Sequence, residues 1–320
     1  MAETMSVVIT GASSGIGRAT ALAFAREGAR LTLAARRGGK LAEVARECER
    51  LGASLGGKAQ YLETDVTSAE AMRGLAQAAI RRYGDVDVWV NDAGVGAIGR
   101  FTDVPIQAHE QTINTNLIGY IHGAHAILPR FQKRGHGVLI NVVSFGAFVA
   151  APFAAAYTAS KFGLRGFSES LRAELQDYPD IHICDIFPGF VTTPGISHGA
   201  NYTGHEIHVK APDQPEAVAR AIVRVARHPR DKTSVGPIAK LAPLGYAVSP
   251  GFARWAMTRF MQTALSRTPE QAPTSGNLFR PVPNHPPAPS AQRSRMAVGG
   301  GLAVLLVAAA GTALAVGRRL

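Results

Sequence analysis

Short apolar runs alternate with longer stretches of helical periodicity from residue 6 to residue 187, and this alternation limits the chain to few architectures. Residues 6–10, 31–35, 60–63, 86–90, 138–143 and 181–187 read as strands, apolar enough to be buried. Helical patterns fill the intervals at 16–27, 41–51, 69–83, 105–132 and 155–177. Strands separated by helices pair in parallel, and crossover helices then cover both faces. The expected fold is therefore α/β, a doubly wound parallel sheet with helices on both faces. In such sheets ligands bind beyond the carboxyl ends of the strands, where the strand order switches.

Composition divides the chain into three regions. At 46% hydrophobic and 18% charged residues, disorder is excluded for most of its 320 residues. Residues 1–267 read as one globular domain. Residues 268–296 hold 7 of the 19 prolines, which predicts an extended, semi-rigid spacer. Residues 297–316 carry no charge, and twenty helical residues span ~30 Å, the thickness of a bilayer core. They are expected to form a transmembrane helix, the alternative being a buried helix at a subunit contact. The first apolar run leads straight into a glycine turn without a basic leader, so the globular part is expected in the cytoplasm, anchored to membrane lipid by its tail. Two cysteines, Cys48 and Cys184, are too few for a disulfide framework. The formal net charge of +11 raises a nucleic-acid role, but no recognised binding motif accompanies it, so none is expected.

Chemistry-bearing residues stand at the ends of the expected strands. Gly11, Ser13, Ser14, Gly15, Ile16 and Gly17 lie between the first strand and first helix, where glycines let the backbone turn tightly toward a phosphate and a helix N-terminus offers free N–H groups. Tyr157 and Lys161 are four apart, hence on one helix face. An ammonium one turn away favours the phenolate of a group whose ordinary pKa is ~10. Ser144 ends the fifth strand. Asn91-Asp92-Ala93-Gly94 follows the fourth strand, and Pro188-Gly189-Phe190-Val191-Thr192 follows the sixth.

These motifs, in this order over about residues 5–240, resemble those of the short-chain dehydrogenase/reductase family. The resemblance implies a Rossmann-type fold and hydride transfer between a nicotinamide cofactor and an alcohol, ketone or aldehyde carbon. It implies Tyr157 as proton donor or acceptor, Lys161 on the nicotinamide ribose and Ser144 on the substrate oxygen. It further implies Asn116, with Asn114 as second choice, on a water linked to the lysine. Asn91, Ala93 and Gly94 would lie along the cofactor. Asp65, with Val66 beside it, would meet the adenine, and Pro188, Gly189, Val191 and Thr192 the carboxamide. Asp92 departs from the family's N-N-A-G pattern. A homodimer or homotetramer through the long helices is also implied.

The second strand ends in Ala34-Ala35-Arg36-Arg37, with no acidic residue to bind a ribose 2′-hydroxyl. A guanidinium fork suits a 2′-phosphate, so NADP(H) is expected over NAD(H), with Arg36 first, Arg37 second and Ser13 assisting. Val95, Ile98, Phe145, Phe148, Phe153 and Phe190 suggest an apolar pocket for a lipophilic substrate such as a sterol, retinoid or fatty chain. The loop after Thr192, with Ile196, His198, Tyr202, His205 and His208, is expected to cover the substrate, and no metal is expected there. Soluble-type 3-oxoacyl reduction, or a non-catalytic NADP(H)-sensing scaffold, are the other readings. Arg254 and Arg259 interleave with Trp255, Met257, Phe260 and Met261, an amphipathic helix either packed on the domain or lying on a membrane.

Overall fold

The computed structural model describes residues 4–191, 198–207, 213–266 and 268–282. Seven parallel strands form one sheet in the order β3-β2-β1-β4-β6-β7-β9. They are β1 (Ser6–Thr10), β2 (Arg30–Ala35), β3 (Lys58–Glu63), β4 (Val88–Asn91), β6 (His136–Val142), β7 (Asp180–Pro188) and β9 (Lys232–Val235). The order reverses between β1 and β4, which opens the crevice expected of a Rossmann-type sheet. Two-residue strands β5 (Ala97–Ile98) and β8 (Ala200–Asn201) pair in parallel above it.

Period-2 alternation along the strands fills two cores. Val7, Ile9, Leu31 and Leu33 pack on one face, Val8, Trp89, Leu139 and Ile183 on the other. The first face is covered by α1 (Gly15–Ala25), α2 (Gly38–Gly52) and α7 (Pro215–Arg227). The second is covered by α3 (Ala69–Tyr83), α5 (Gly119–Arg134) and part of α6 (Ala155–Glu174). Helix α4 (Ile106–Ile113) runs into α5 through a π-helical turn at Asn114–Ile118, where a single uninterrupted helix was expected. The hairpin of α8 (Pro237–Val248) and α9 (Pro250–Ser266) closes one side of the crevice.

A buried polar chain ties the sheet to α6. The Trp89 indole donates to Asn91 Oδ1 at 2.8 Å, and Asn91 Nδ2 donates to Asn141 Oδ1 at 3.0 Å. Asn141 Nδ2 donates to Ser168 Oγ at 3.1 Å, and Ser168 donates to Asp185 at 2.6 Å, which also pairs with Arg172. Ser168 lies two turns beyond Lys161, so this chain sets the helix that carries Tyr157 and Lys161. A Cβ at Gly123 would fall 2.4 Å from Asn91 Oδ1 and 2.9 Å from the Trp89 indole nitrogen. Gly123→Ala is therefore expected to cost ~1–3 kcal/mol through overpacking. Each kcal/mol lowers the melting temperature by ~2–4 °C, read by thermal denaturation.

One expectation changes at the C-terminal side. Residues 268–282 are not a free spacer: they strap back over the domain. Thr274 bridges Asn201, Glu270 bridges His205, and Leu278 is fully buried among Val95, Val104 and Ala200. The prolines from 269 to 281 thus suit an extended strap that packs. The rest of the expected spacer, from residue 283, and the uncharged segment 297–316 lie outside the described residues. Among the described residues no helix is long and apolar enough to cross a membrane.

Candidate active site

A cleft of about 420 Å³ runs along the carboxyl ends of the strands, from the glycine turn to the α8–α9 hairpin. At one end, Gly11 and Gly15 adopt positive φ of 71° and 55°, which only glycine takes without strain. Gly17 lies so close to the Gly11 carbonyl that a Cβ would fall 2.5 Å from it, so Gly17 serves helix–strand approach and does not line the cleft. Ser14 occupies the N-cap of α1 without capping it, and the serine hydroxyl is held elsewhere.

Arg37 holds it. Its Nη2 donates to Ser14 Oγ at 2.7 Å and to Ser13 Oγ at 3.0 Å. Burial and the neighbouring Arg36 both pull the Arg37 pKa down. A guanidinium, two hydroxyls and a helix N-terminus converge here, and this donor set fits a dinucleotide bearing an extra phosphate. Arg36, expected first, is committed differently. Its guanidinium donates to the carbonyls of Asn277 at 2.5 Å, Leu278 at 3.2 Å and Phe279 at 3.3 Å, and so pins the strap over the cleft rim.

Farther along, Thr64, Asp65 and Val66 line the cleft, with Asp65 Oδ1 accepting from the Thr67 N–H and hydroxyl. Ala93 and Gly94 line it as expected, but Asn91 does not: its amide is spent inside the sheet. Asp92 does line it, with its carboxylate against the glycine turn. Burial pushes the Asp92 carboxyl up to about 8, opposed by Lys161 and a backbone hydrogen bond from Gly17.

Tyr157 and Lys161 project from α6 into the middle of the cleft. Ser144, at the end of β6, accepts from the Gly146 N–H at 3.0 Å. Its hydroxyl hydrogen-bonds Tyr157, which draws the phenol pKa down, while burial has the larger effect and raises it. The Lys161 ammonium donates to the Val142 carbonyl at 3.2 Å and lies 5.7 Å from the Tyr157 ring centroid. Burial pushes it down to about 8, and Asp92 opposes that. At Tyr157 burial thus outweighs the Ser144 hydrogen bond.

The Asn116 side chain is buried, and its Nδ2 reaches Ser160 Oγ, beside Lys161, at 3.4 Å. It clamps the Val95 backbone, accepting its N–H and donating to its carbonyl, both at 2.8 Å. Asn114 is exposed at the start of the π-helical turn and lines a separate surface depression. Pro188, Gly189 and Val191 line the cleft, whereas Thr192 lies outside the described residues, as do Ile196 and His208. His198 lines the cleft; Tyr202 packs on Gly99, and His205 contacts the Thr268 carbonyl. Among the described residues no group of three metal-ligating side chains occurs.

The apolar end holds Val95, Ile98, Phe145 and Phe190, as expected. Phe148 instead packs its ring, tilted, against Phe187, and Phe153 is absent from the lining. Sequence reading missed Met257 and Met261 from α9 as lining, and Asn277, Pro281 and Val282 from the strap. The alternation of Met257 and Met261 with exposed arginines was the available signal for the first pair. Nothing local to residues 277–282 marks them.

Comparison with known proteins agrees with this geometry. The short chain dehydrogenase family matches residues 5–199. An uncharacterized oxidoreductase, YxnA of Bacillus subtilis, is 34% identical over 80% of this chain and 72% of its own. The probable oxidoreductase EphD of Mycobacterium tuberculosis is 33% identical over 82% of this chain but only 44% of its own length. Among solved structures, an alcohol dehydrogenase from the archaeon Thermococcus sibiricus complexed with 5-hydroxy-NADP superimposes with a TM-score of 0.63 at 27% identity. It covers 72% of this chain and 96% of that one. The chain belongs to the short-chain dehydrogenase family and is an oxidoreductase of that type.

Proposed function

We propose that the protein is an NADP(H)-dependent oxidoreductase that interconverts an alcohol with a ketone or aldehyde, on a lipophilic substrate. The observation that carries this reading is one cleft with two unlike ends. Ser13, Ser14 and Arg37 offer a phosphate cradle at one end, and Val95, Phe145, Phe190, Met257 and Met261 an apolar chamber at the other, with Ser144, Tyr157 and Lys161 between. The solved relative complexed with a modified NADP supports the same cofactor class.

A bound nicotinamide dinucleotide supplies or accepts the hydride. The protein's own residues do the rest. Arg37, Ser13 and Ser14 bind the phosphate that separates NADP from NAD, and Asp65 and Val66 border the adenine. Lys161 binds the nicotinamide ribose and, while charged, favours the phenolate. Ser144 hydrogen-bonds the substrate oxygen and orients it toward Tyr157. Tyr157 donates its phenolic proton to that oxygen in reduction and accepts it in oxidation. Asn116, through its clamp on Val95, positions the chamber wall. The apolar lining excludes water. The uncharged segment 297–316 is proposed as a bilayer tether that keeps the enzyme near such substrates.

The test is oxidation of NADPH by the full chain in detergent against sterol ketones, retinaldehyde, long-chain aldehydes and small polar carbonyls. At least a tenfold higher kcat/KM for the lipophilic set is expected, about 1.4 kcal/mol of selectivity. Preference for small polar carbonyls contradicts the substrate class, and no turnover with any of them contradicts the activity.

A further inference from the structure

The outer face of the α8–α9 hairpin has no role in the reading above. Of the twelve exposed large hydrophobics among the described residues, six lie on these two helices: Leu241, Leu244, Val248, Phe252 and Trp255, with Phe260 at the edge, its ring 6.4 Å from that of Phe190. Leu241, Leu244 and Val248 recur at helical spacing on α8, and the rings of Phe252 and Trp255 on α9 meet at 5.5 Å, tilted by 41°. So many large apolar groups on thirty residues mark a contact surface.

The charge on the hairpin selects among occupants. Between residues 237 and 266 there are three cations, Lys240, Arg254 and Arg259, all exposed, and no acidic residue. A second copy docked by a two-fold axis would set these cations against themselves. Exposed tryptophan with arginine and lysine is instead the composition of a helix lying at a lipid–water interface. The opposite side of the hairpin is already used. Ala239, Ala242 and Met257 pack on Phe145, Val149 and Phe190, and Met257 and Met261 line the cleft.

We propose that the outer face of the α8–α9 hairpin docks on an anionic bilayer surface, with Trp255 and Phe252 entering the headgroup region and Lys240, Arg254 and Arg259 meeting lipid phosphates. The docking stands on the described residues and does not need segment 297–316. Its consequence, entry of substrate into the cleft from the lipid side, rests on the reading of the apolar chamber given above.

The chain has two tryptophans, which makes the face directly readable. Trp89 is fully buried, and Trp255 is 57% exposed. The full chain is mixed with vesicles of phosphatidylcholine alone or with phosphatidylglycerol, and tryptophan emission is followed. A blue shift with phosphatidylglycerol vesicles, abolished in Trp255→Phe, is the expected result. Neutralising Lys240, Arg254 and Arg259 together to glutamine should weaken the vesicle midpoint about 100-fold, at roughly 1 kcal/mol per charge. Unchanged NADPH binding by both variants shows that they are folded. Three results overturn the proposal. One is unshifted emission while the protein sediments with the vesicles, since the chain is then held without this face. Another is an equal shift on neutral vesicles. The third is a shift produced by raising protein concentration without lipid, which assigns the face to a second copy. Alkaline carbonate extraction reads the 297–316 tether separately, so that either reading can fail alone.

Discussion

Tyr157→Phe should reduce turnover by about 10²–10⁴-fold, the usual worth of a positioned general acid, while NADPH binding stays within a few-fold of the parent. The substitution removes one oxygen and keeps the ring that packs in the cleft. No neighbouring phenol replaces it. Tyr120 also lines the cleft, but its hydroxyl donates to the Val142 carbonyl at 3.0 Å, and burial together with the nearby Asp92 and Tyr157 holds its pKa well above the ordinary value. The direction of the pH dependence follows from the protonation state each reaction needs. Burial raises the Tyr157 phenol, so the protonated form required for reduction persists through neutral pH. Oxidation needs the phenolate, so its rate should climb with pH, by at most about tenfold per unit below the phenol pKa. Lys161 is charged below about 8 and loses that charge above it, so its support for the phenolate fades and the climb should flatten there. Steady-state kcat in both directions across the neutral and alkaline range checks this. A Tyr157→Phe protein with full activity contradicts the catalytic assignment, and an oxidation rate that falls with pH contradicts the sign.

What could be read from sequence depended on how local each interaction is. Strand β1 and helix α3 have the bounds expected from hydrophobic period alone, because burial of their own side chains decides them. The glycine turn was legible for a similar reason: its backbone angles belong to the residues themselves. Asn91 was not legible as a sheet residue because, beside Trp89 on its own strand, its partners are Asn141 on the neighbouring strand and the Tyr120 carbonyl on α5. Asn116 lies in a π-helical turn, and its amide meets the Val95 backbone 21 residues away, a contact that no local pattern announces. The strap over residues 268–282 was hidden by its prolines. They forbid helix and central strand, but an extended segment can still bury Leu278 and bridge at an edge.

The two arginines after β2 sharpen that lesson, since sequence places them side by side and the structure separates their work. Arg37 lies over Ser13 and Ser14, whereas Arg36 is held by carbonyls some 240 residues further along the chain. Burial disfavours the charged Arg37 guanidinium, and repulsion by the adjacent Arg36 adds to that cost. A dianionic 2′-phosphate relieves both effects, while the 2′-hydroxyl of NAD(H) relieves neither. Arg37→Ala should therefore remove a charge-assisted hydrogen bond worth about 1.5–3 kcal/mol. That raises the KM for NADPH about 10–100-fold and leaves the KM for NADH nearly unchanged. Arg36→Ala should instead free the strap, which hydrogen exchange at Asn277, Leu278 and Phe279 would report, with only a few-fold change in the KM for NADPH. The pair of variants separates the two roles. If Arg36→Ala raises the NADPH KM more than Arg37→Ala does, then Arg36 leaves its carbonyls when the cofactor binds, and the phosphate, not the strap, is its partner.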